Sequence, residues 1–187
     1  MKKILLLIID VQNDYFPGGR MALPAMEQAG LKTAALLAYS RENKMPIIHV
    51  QHINEDAAAS FFARGTNGAE INSCAIPLPG EAVIIKRFPN SFRGTDLAQS
   101  LEREQVKELV ICGAMSNMCI DATTRAASDL GFHCTVVQDA CAARPAVLGS
   151  IQVPAEQVHA AFMANLGSAY ATVLSLEELL QQRRGSA

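Results

Sequence analysis

The sequence has no tryptophan and few other aromatics, three tyrosines and seven phenylalanines among 187 residues. It also lacks an excess of charge. Sixteen Lys and Arg stand against eighteen Asp and Glu, a formal net charge of −2, with neither sign gathered into a block. A nucleic-acid binder normally carries a basic stripe, so nucleic acid is not an expected partner. No apolar run approaches the roughly 20 residues of a membrane-spanning helix, so no membrane association is expected either. The opening MKKILLLIIDVQND imitates the start of a signal peptide. Its apolar run stops after six residues at Asp10, however, and no small-residue cleavage site follows, which favours a buried first strand. The five cysteines (Cys74, Cys112, Cys119, Cys134 and Cys141) form an odd set without CxxC spacing. That argues against a disulfide framework and against a four-cysteine zinc site, and suits buried thiols in a reducing, cytoplasmic compartment. No GxGxxG follows the first apolar run, and the pair Gly18–Gly19 reads only as a turn, so dinucleotide binding has no support.

What is present is a rhythm. The length fits one domain over residues 1–187, and half the residues are apolar, enough for a core. Short runs rich in Ile, Leu and Val occur at Lys3–Ile9, Pro46–Gln51, Ala82–Lys86, Glu108–Cys112, His133–Gln138 and Ala169–Val173. They are nearly continuously apolar, as strands buried on both faces should be. Helical periodicity fills Pro24–Asn43, Leu97–Glu104, Met118–Leu130, Ala155–Leu166 and Leu176–Gln182. Ser175 can cap the last of these, with Glu178 completing a capping box. This alternation predicts an α/β protein: a three-layer α/β/α sandwich on a doubly wound, Rossmann-like parallel sheet of about six strands. Residues 183–187 are expected to fray.

Two segments interrupt the rhythm, residues 52–81 and 87–96. Both begin where strands end, and ligands of open α/β sheets bind beyond the carboxyl ends of strands. Three reactive side chains fall at comparable places: Asp10 ends the first strand, Lys86 ends the third, and Cys119 follows the fourth through GAMSNMC. Taken singly, each has a plain structural reading: a loop-capping acid, a snorkelling lysine, a buried thiol. Together, at one edge of a parallel sheet, they can form a nucleophile with its base. A cysteine at a helix start is further expected to have its thiol pKa lowered into the reactive range.

These residues resemble a known family, the isochorismatase-like cysteine hydrolases, which include nicotinamidases and other small-amide amidohydrolases. The likeness lies in LLIIDVQNDYF around Asp10, PGEAVIIKRFPNSFRGTDL around Lys86, and LVICGAMSNMCIDATTRAASDLGF around Cys119. The last is the most specific, with Gly113, Cys119, Ile120, Thr123, Ala127 and Gly131 at the family's spacing. The resemblance implies a catalytic triad of Asp10, Lys86 and Cys119. It also implies a cis peptide at Ala114–Met115 and an oxyanion hole made by the backbone N–H groups of Met115 and Cys119. The reaction it implies is cleavage of a C–N bond in a small amide, carbamoyl or cyclic-amide substrate through a thioester, with no cofactor. A homodimer or homotetramer is the family-level expectation.

The chain departs from the nicotinamidase pattern. That pattern has a metal-binding Asp-x-His, whereas HVQHINED offers His49 and His52 with no Asp two residues before either. No metal site is therefore expected; His49 reads as a core histidine and His52 as a pocket candidate. Isochorismate-cleaving relatives do not use a cysteine nucleophile, so Cys119 points to the amidase branch. Asp14 reads as a cap. Gln12, Phe16, Phe92 and Asn117 are further pocket candidates, each with ordinary packing or backbone hydrogen bonding as the alternative. Tyr15, Phe61 and Phe62 suggest apolar walls. Arg64 and Arg87 can meet a substrate carboxylate or simply be solvated. The competing functions are an ester or thioester hydrolase with the same triad, and a non-catalytic small-molecule binder on the same fold.

Overall fold

The computed structural model describes residues 3–185. Strand β1, Lys3–Ile9, shows why the fold is layered. Its side chains alternate between two cores, as the pleat requires. Leu6 and Ile8 join Val110 and Cys112 in one, while Leu5, Leu7 and Ile9 join Leu109 and Ile111 in the other. A chain segment apolar at every position has nowhere to go except the middle of a sheet covered on both sides. Each fully buried Leu or Ile contributes about 1.5–3 kcal/mol before entropy is counted.

The remaining strands are β2 (Ile47–His52), β3 (Ala82–Lys86), β4 (Val106–Ala114), β5 (His133–Ala142), β6 (Ala146–Leu148), β7 (Ile151–Val153) and β8 (Thr172–Leu174). The helices are α1 (Met26–Glu42), α2 (Leu97–Arg103), α3 (Asp121–Asp129), α4 (Ala155–Ala169) and α5 (Leu176–Arg184). Six strands form one all-parallel sheet in the order β3-β2-β1-β4-β5-β8. Helices α1 and α5 cover one face; α2, α3 and α4 cover the other. The expected three-layer, doubly wound α/β/α architecture is the observed one. From β1 the chain builds outward through β2 and β3, then returns to place β4 on the other side of β1. The crevice for ligands therefore opens between the ends of β1 and β4.

Some boundaries differ from expectation. Strands β4 and β5 run on to Ala114 and Ala142, across a register shift between Ile111 and Gly113. Ala169 closes α4 rather than opening a strand, and the last strand starts at Thr172. The antiparallel hairpin β6–β7 was not anticipated; it turns at Gly149, where φ is 59°. The Ser175–Glu178 capping box is present. Helix α5 continues to Arg184, and Arg183 lies 3.8 Å from Glu108, so residues 183 and 184 are helix and not frayed tail. The rest of the expected tail, residues 186 and 187, lies outside the described residues. Among the described residues no helix is long and apolar enough to cross a membrane.

Candidate active site

Asp10 is the first residue past β1. Its backbone N–H donates to the Val50 carbonyl at 2.9 Å and its φ is 53°, a left-handed conformation uncommon outside glycine. Such residues cluster where surrounding structure holds them for a purpose. Across the crevice, Gly113 of β4 is the Cα partner of Ile9. Its φ is 121°, and a Cβ there would collide with the Ile9 backbone. Glycine is needed here so that the chain leaving β4 can pass close to Asp10.

Lys86 ends β3, with its Cα paired to His52 at the end of β2. The Lys86 Nζ is 2.7 Å from Asp10 Oδ2, and both side chains have no exposed surface. The same ammonium donates to the carbonyls of Phe88 and Pro89, each at 3.2 Å, and lies 3.5 Å from His52 Nδ1. Burial pulls the Lys86 pKa down, but the Asp10 charge and the hydrogen bonds to Asp10 and Cys119 outweigh it and the net direction is up, so the group stays cationic. Burial, aided by Lys86 and opposed by Asp10, lowers the His52 pKa and keeps the ring neutral. Gln12 fixes His52 in place. Its Nε2 donates to the His52 and Ala69 carbonyls at 2.9 and 2.7 Å, and its Oε1 accepts from the His52 N–H at 2.8 Å.

Cys119 sits on a π-helical turn, Ser116–Ile120, that follows β4 and leads into α3. The Ala114–Met115 peptide before the turn is cis. Donor atoms of Asp10, His52 and Cys119 all lie within 4.8 Å of one another, and the thiol is only 4% exposed. The expected lowering of its pKa is not found. Burial raises the Cys119 pKa, the Asp10 charge raises it further, and Lys86 only partly offsets them. The resting sulfur is therefore a thiol. The Asp10 carboxylate is within hydrogen-bonding reach of that thiol, which it holds protonated. The other cysteines are free thiols too, raised by burial: Cys74 to about 11, Cys112 and Cys134 to about 12.

The remaining candidates divide. Asn117, on the nucleophile turn, keeps a buried Oδ1 without a hydrogen-bond partner. Phe16 packs over Gly30 of α1, and Phe92 stacks on Phe132 with centroids 6.3 Å apart. Tyr15, 1% exposed, is the aromatic whose hydroxyl senses the site: burial raises its pKa, and Asp10 and Cys119 raise it further. Tyr15 also packs edge-on to Phe62 at 4.7 Å. Asp14 caps backbone, accepting from the N–H groups of Arg20 and Phe62. His49 is buried against Glu81 at 3.0 Å. Arg64 and Arg87 both pair with the exposed Glu55.

Two residues escaped the sequence reading. Ser116 Oγ, fully buried beside the cis peptide, lies 2.8 Å from His159 Nδ1 of α4. A lone serine and a histidine 43 positions apart carry no local signal of that bond. Asp10, His52 and Cys119 together form a donor set that a cation could use, but Asp10 is already in contact with the Lys86 ammonium, which a dication would have to displace.

A family model described as Isochorismatase domain matches residues 4–178. The chain is 52% identical over 176 residues to the uncharacterized isochorismatase family protein YddQ of Bacillus subtilis, covering 94% of this chain and 98% of that one. It is 24% identical over 197 residues to a maleamate amidohydrolase of Pseudomonas putida, covering 98% and 88% of the two chains. The crystal structure of an isochorismatase hydrolase of Oleispira antarctica superposes with a TM-score of 0.93 at 47% identity, over 96% of this chain and 97% of that one.

Proposed function

The chain belongs to the isochorismatase family of hydrolases, and from that premise we propose that it is a cysteine amidohydrolase, one domain over residues 1–187, cleaving the C–N bond of a small amide. The observation that carries the reading is the buried Asp10–Lys86 ion pair at 2.7 Å with the Cys119 thiol beside it. Relatives that act on amides, such as the maleamate amidohydrolase, support it. The scant exposure of Cys119 suits a small substrate.

In this mechanism Asp10 takes the proton of Cys119 as the sulfur attacks the substrate carbonyl. Lys86, paired with the carboxylate, attracts the forming thiolate. The backbone N–H groups of Met115 and Cys119 stabilise the oxyanion. Asp10 then gives the proton to the departing nitrogen, the C–N bond breaks, and a thioester remains. Water loses a proton to Asp10 as it attacks the thioester, and the thiolate leaves and is reprotonated. No step uses a cofactor or a metal. His52 and Asn117 line the pocket, with Gln12 positioning His52. The protein works in the cytoplasm as a homodimer or homotetramer.

The test is ammonia release from a panel of small primary amides, with Cys119→Ala alongside. Loss of release in Cys119→Ala is the expected result. Release at the wild-type rate would remove the cysteine mechanism.

A further inference from the structure

Lys86 and Cys119 come from strands that do not touch. In the order β3-β2-β1-β4, two strands lie between the one that ends in Lys86 and the one that leads to Cys119. At about 4.8 Å per strand the two are about 14 Å apart in the sheet, so backbone pairing cannot by itself set the distance from ammonium to sulfur. A second link runs over the top of the sheet. Thr123, in α3 and four residues after Cys119, sets its hydroxyl against the segment 87–96 that follows Lys86.

This link is polar and buried. Neither Thr123 nor Ser91 has exposed surface. Thr123 Oγ1 accepts the Ser91 N–H at 3.0 Å, and it lies 2.9 Å from Ser91 Oγ and 3.4 Å from the Pro89 carbonyl oxygen. A hydroxyl has one proton and two lone pairs, and one assignment uses all three: the Ser91 N–H and O–H donate to Thr123, which donates to Pro89. Thr95 Oγ1 donates to the Ser91 carbonyl at 2.6 Å and holds the far side of the same turn. The carbonyls of Phe88 and Pro89 are in turn the acceptors of the Lys86 ammonium, and with Asp10 Oδ2 they account for its three protons. Two buried hydroxyls where an apolar pair of similar size would fit need a reason. Here their bonds end on the cradle of a reacting cation.

We propose that Thr123 is a positioning residue: its hydroxyl, with Ser91, clamps the 88–91 turn to the helix of the nucleophile and so fixes the Lys86 ammonium between Asp10 and Cys119. This rests on the amidohydrolase reading of the site and adds to it the device that holds the charged partner in register. Burial and Asp10 raise the Cys119 pKa, and Lys86 lowers it. An ammonium released from its cradle supports the forming thiolate less well.

The experiment sets Thr123→Val, which keeps the branched shape and loses the hydroxyl, beside Thr123→Ser, which keeps the hydroxyl and loses a methyl. Ammonia release is measured on acetamide, butyramide and benzamide. In Thr123→Val kcat should fall by about 10- to 100-fold with KM nearly unchanged, the cost of misplacing a reacting group by about 1 Å. Iodoacetamide labelling of Cys119 across pH should show a midpoint raised by about half a pH unit or more in Thr123→Val. Asp10, Lys86, His52 and Tyr15, the titratable neighbours of the thiol, are retained throughout. Thr123→Ser should stay close to wild type in both measurements. A hydroxyl that only stabilises the fold would lower the urea midpoint and leave kcat per folded enzyme and the labelling midpoint unmoved; that result overturns the proposal. Equal losses in Thr123→Ser and Thr123→Val overturn it as well. Should Thr123→Val fail to fold, Ser91→Ala removes one bond to Thr123 Oγ1 and is decided by the same readouts. If wild type hydrolyses none of the amides faster than Cys119→Ala does, the amidohydrolase reading fails, and the labelling midpoints alone decide the clamp.

Discussion

Replacing Asp10 by Asn should separate two properties that usually fall together in a cysteine enzyme, thiol ionisation and turnover. The substitution keeps the side chain's shape and removes its charge. In the wild type, burial and then Asp10 hold the Cys119 thiol protonated. A unit charge about 4–5 Å away acts with roughly 3–4 kcal/mol at an effective dielectric near 20. Lys86, 2.7 Å from the carboxylate, cancels most of that. What remains is on the order of 1 kcal/mol, close to one pKa unit. Without Asp10, the Lys86 ammonium has no counter-ion except a thiolate, which adds to the shift in the same direction. The thiol of Asp10→Asn should therefore ionise about one pH unit or more below that of the wild type. Turnover should fall by about 10²- to 10⁴-fold, the usual worth of a general base. The assay is iodoacetamide labelling of Cys119 followed by mass spectrometry across pH, with ammonia release measured in parallel. An unchanged or higher labelling midpoint would refute the account of the thiol, and turnover within a few-fold of wild type would refute the role of Asp10.

Other consequences are as direct. Lys86→Met leaves a buried carboxylate unpaired and should cost about 3–5 kcal/mol in urea unfolding, with part regained when Asp10→Asn is added; strict additivity of the two losses would deny the pair. Gln12→Ala strips three buried hydrogen bonds from His52 and Ala69 and should cost about 2–4 kcal/mol in the same assay. His159→Ala should lower kcat by up to about 100-fold with KM nearly unchanged, because Ser116 and its turn lose their brace, and His159→Asn should recover part of the rate. Glu81 is held at about 2, against 4.5 unperturbed, chiefly by the Arg41 hydrogen bond. Its folded pKa is depressed, so the stabilisation is complete above pH 4.5 and is lost as pH falls towards 2. Glu81→Gln should thus be less stable than wild type at pH 7, with the gap in urea midpoints closing on acidification.

How far the sequence discloses this molecule depends on where its information is stored. Strand β1 begins and ends where its apolar run does, because burial on both faces leaves its interior positions no freedom to be polar; β3 matches its run as well, although it is an edge strand whose Val83 and Ile85 are exposed. Strands β4 and β5 outrun their apolar runs through GA and DACA, small or polar residues that pair by backbone and give little hydropathic signal. The β6–β7 hairpin is silent for the opposite reason. Its apolar residues Val147, Leu148 and Ile151 are 69, 79 and 60% exposed, so the inference from apolar to buried does not hold there.

The site divides along the same line. Asp10 and Lys86 are legible because each is a charged side chain stranded at the end of an apolar run, where burial demands a partner, and Cys119 because it sits in the turn GAMSNMC that follows one. The Ser116–His159 bond joins residues that no local pattern connects, and only the fold brings them together. The error about the thiol is the more instructive one. A helix start lowers a thiol pKa when the sulfur is hydrated enough for the helix field to decide its charge. At 4% exposure, beside a carboxylate, desolvation decides instead. A nucleophile so placed cannot be stored as an anion and must be made one at the moment of attack, which requires an acceptor already in position. The fully buried Asp10 carboxylate, beside the thiol and on a residue held at φ 53°, is that acceptor in the proposed mechanism.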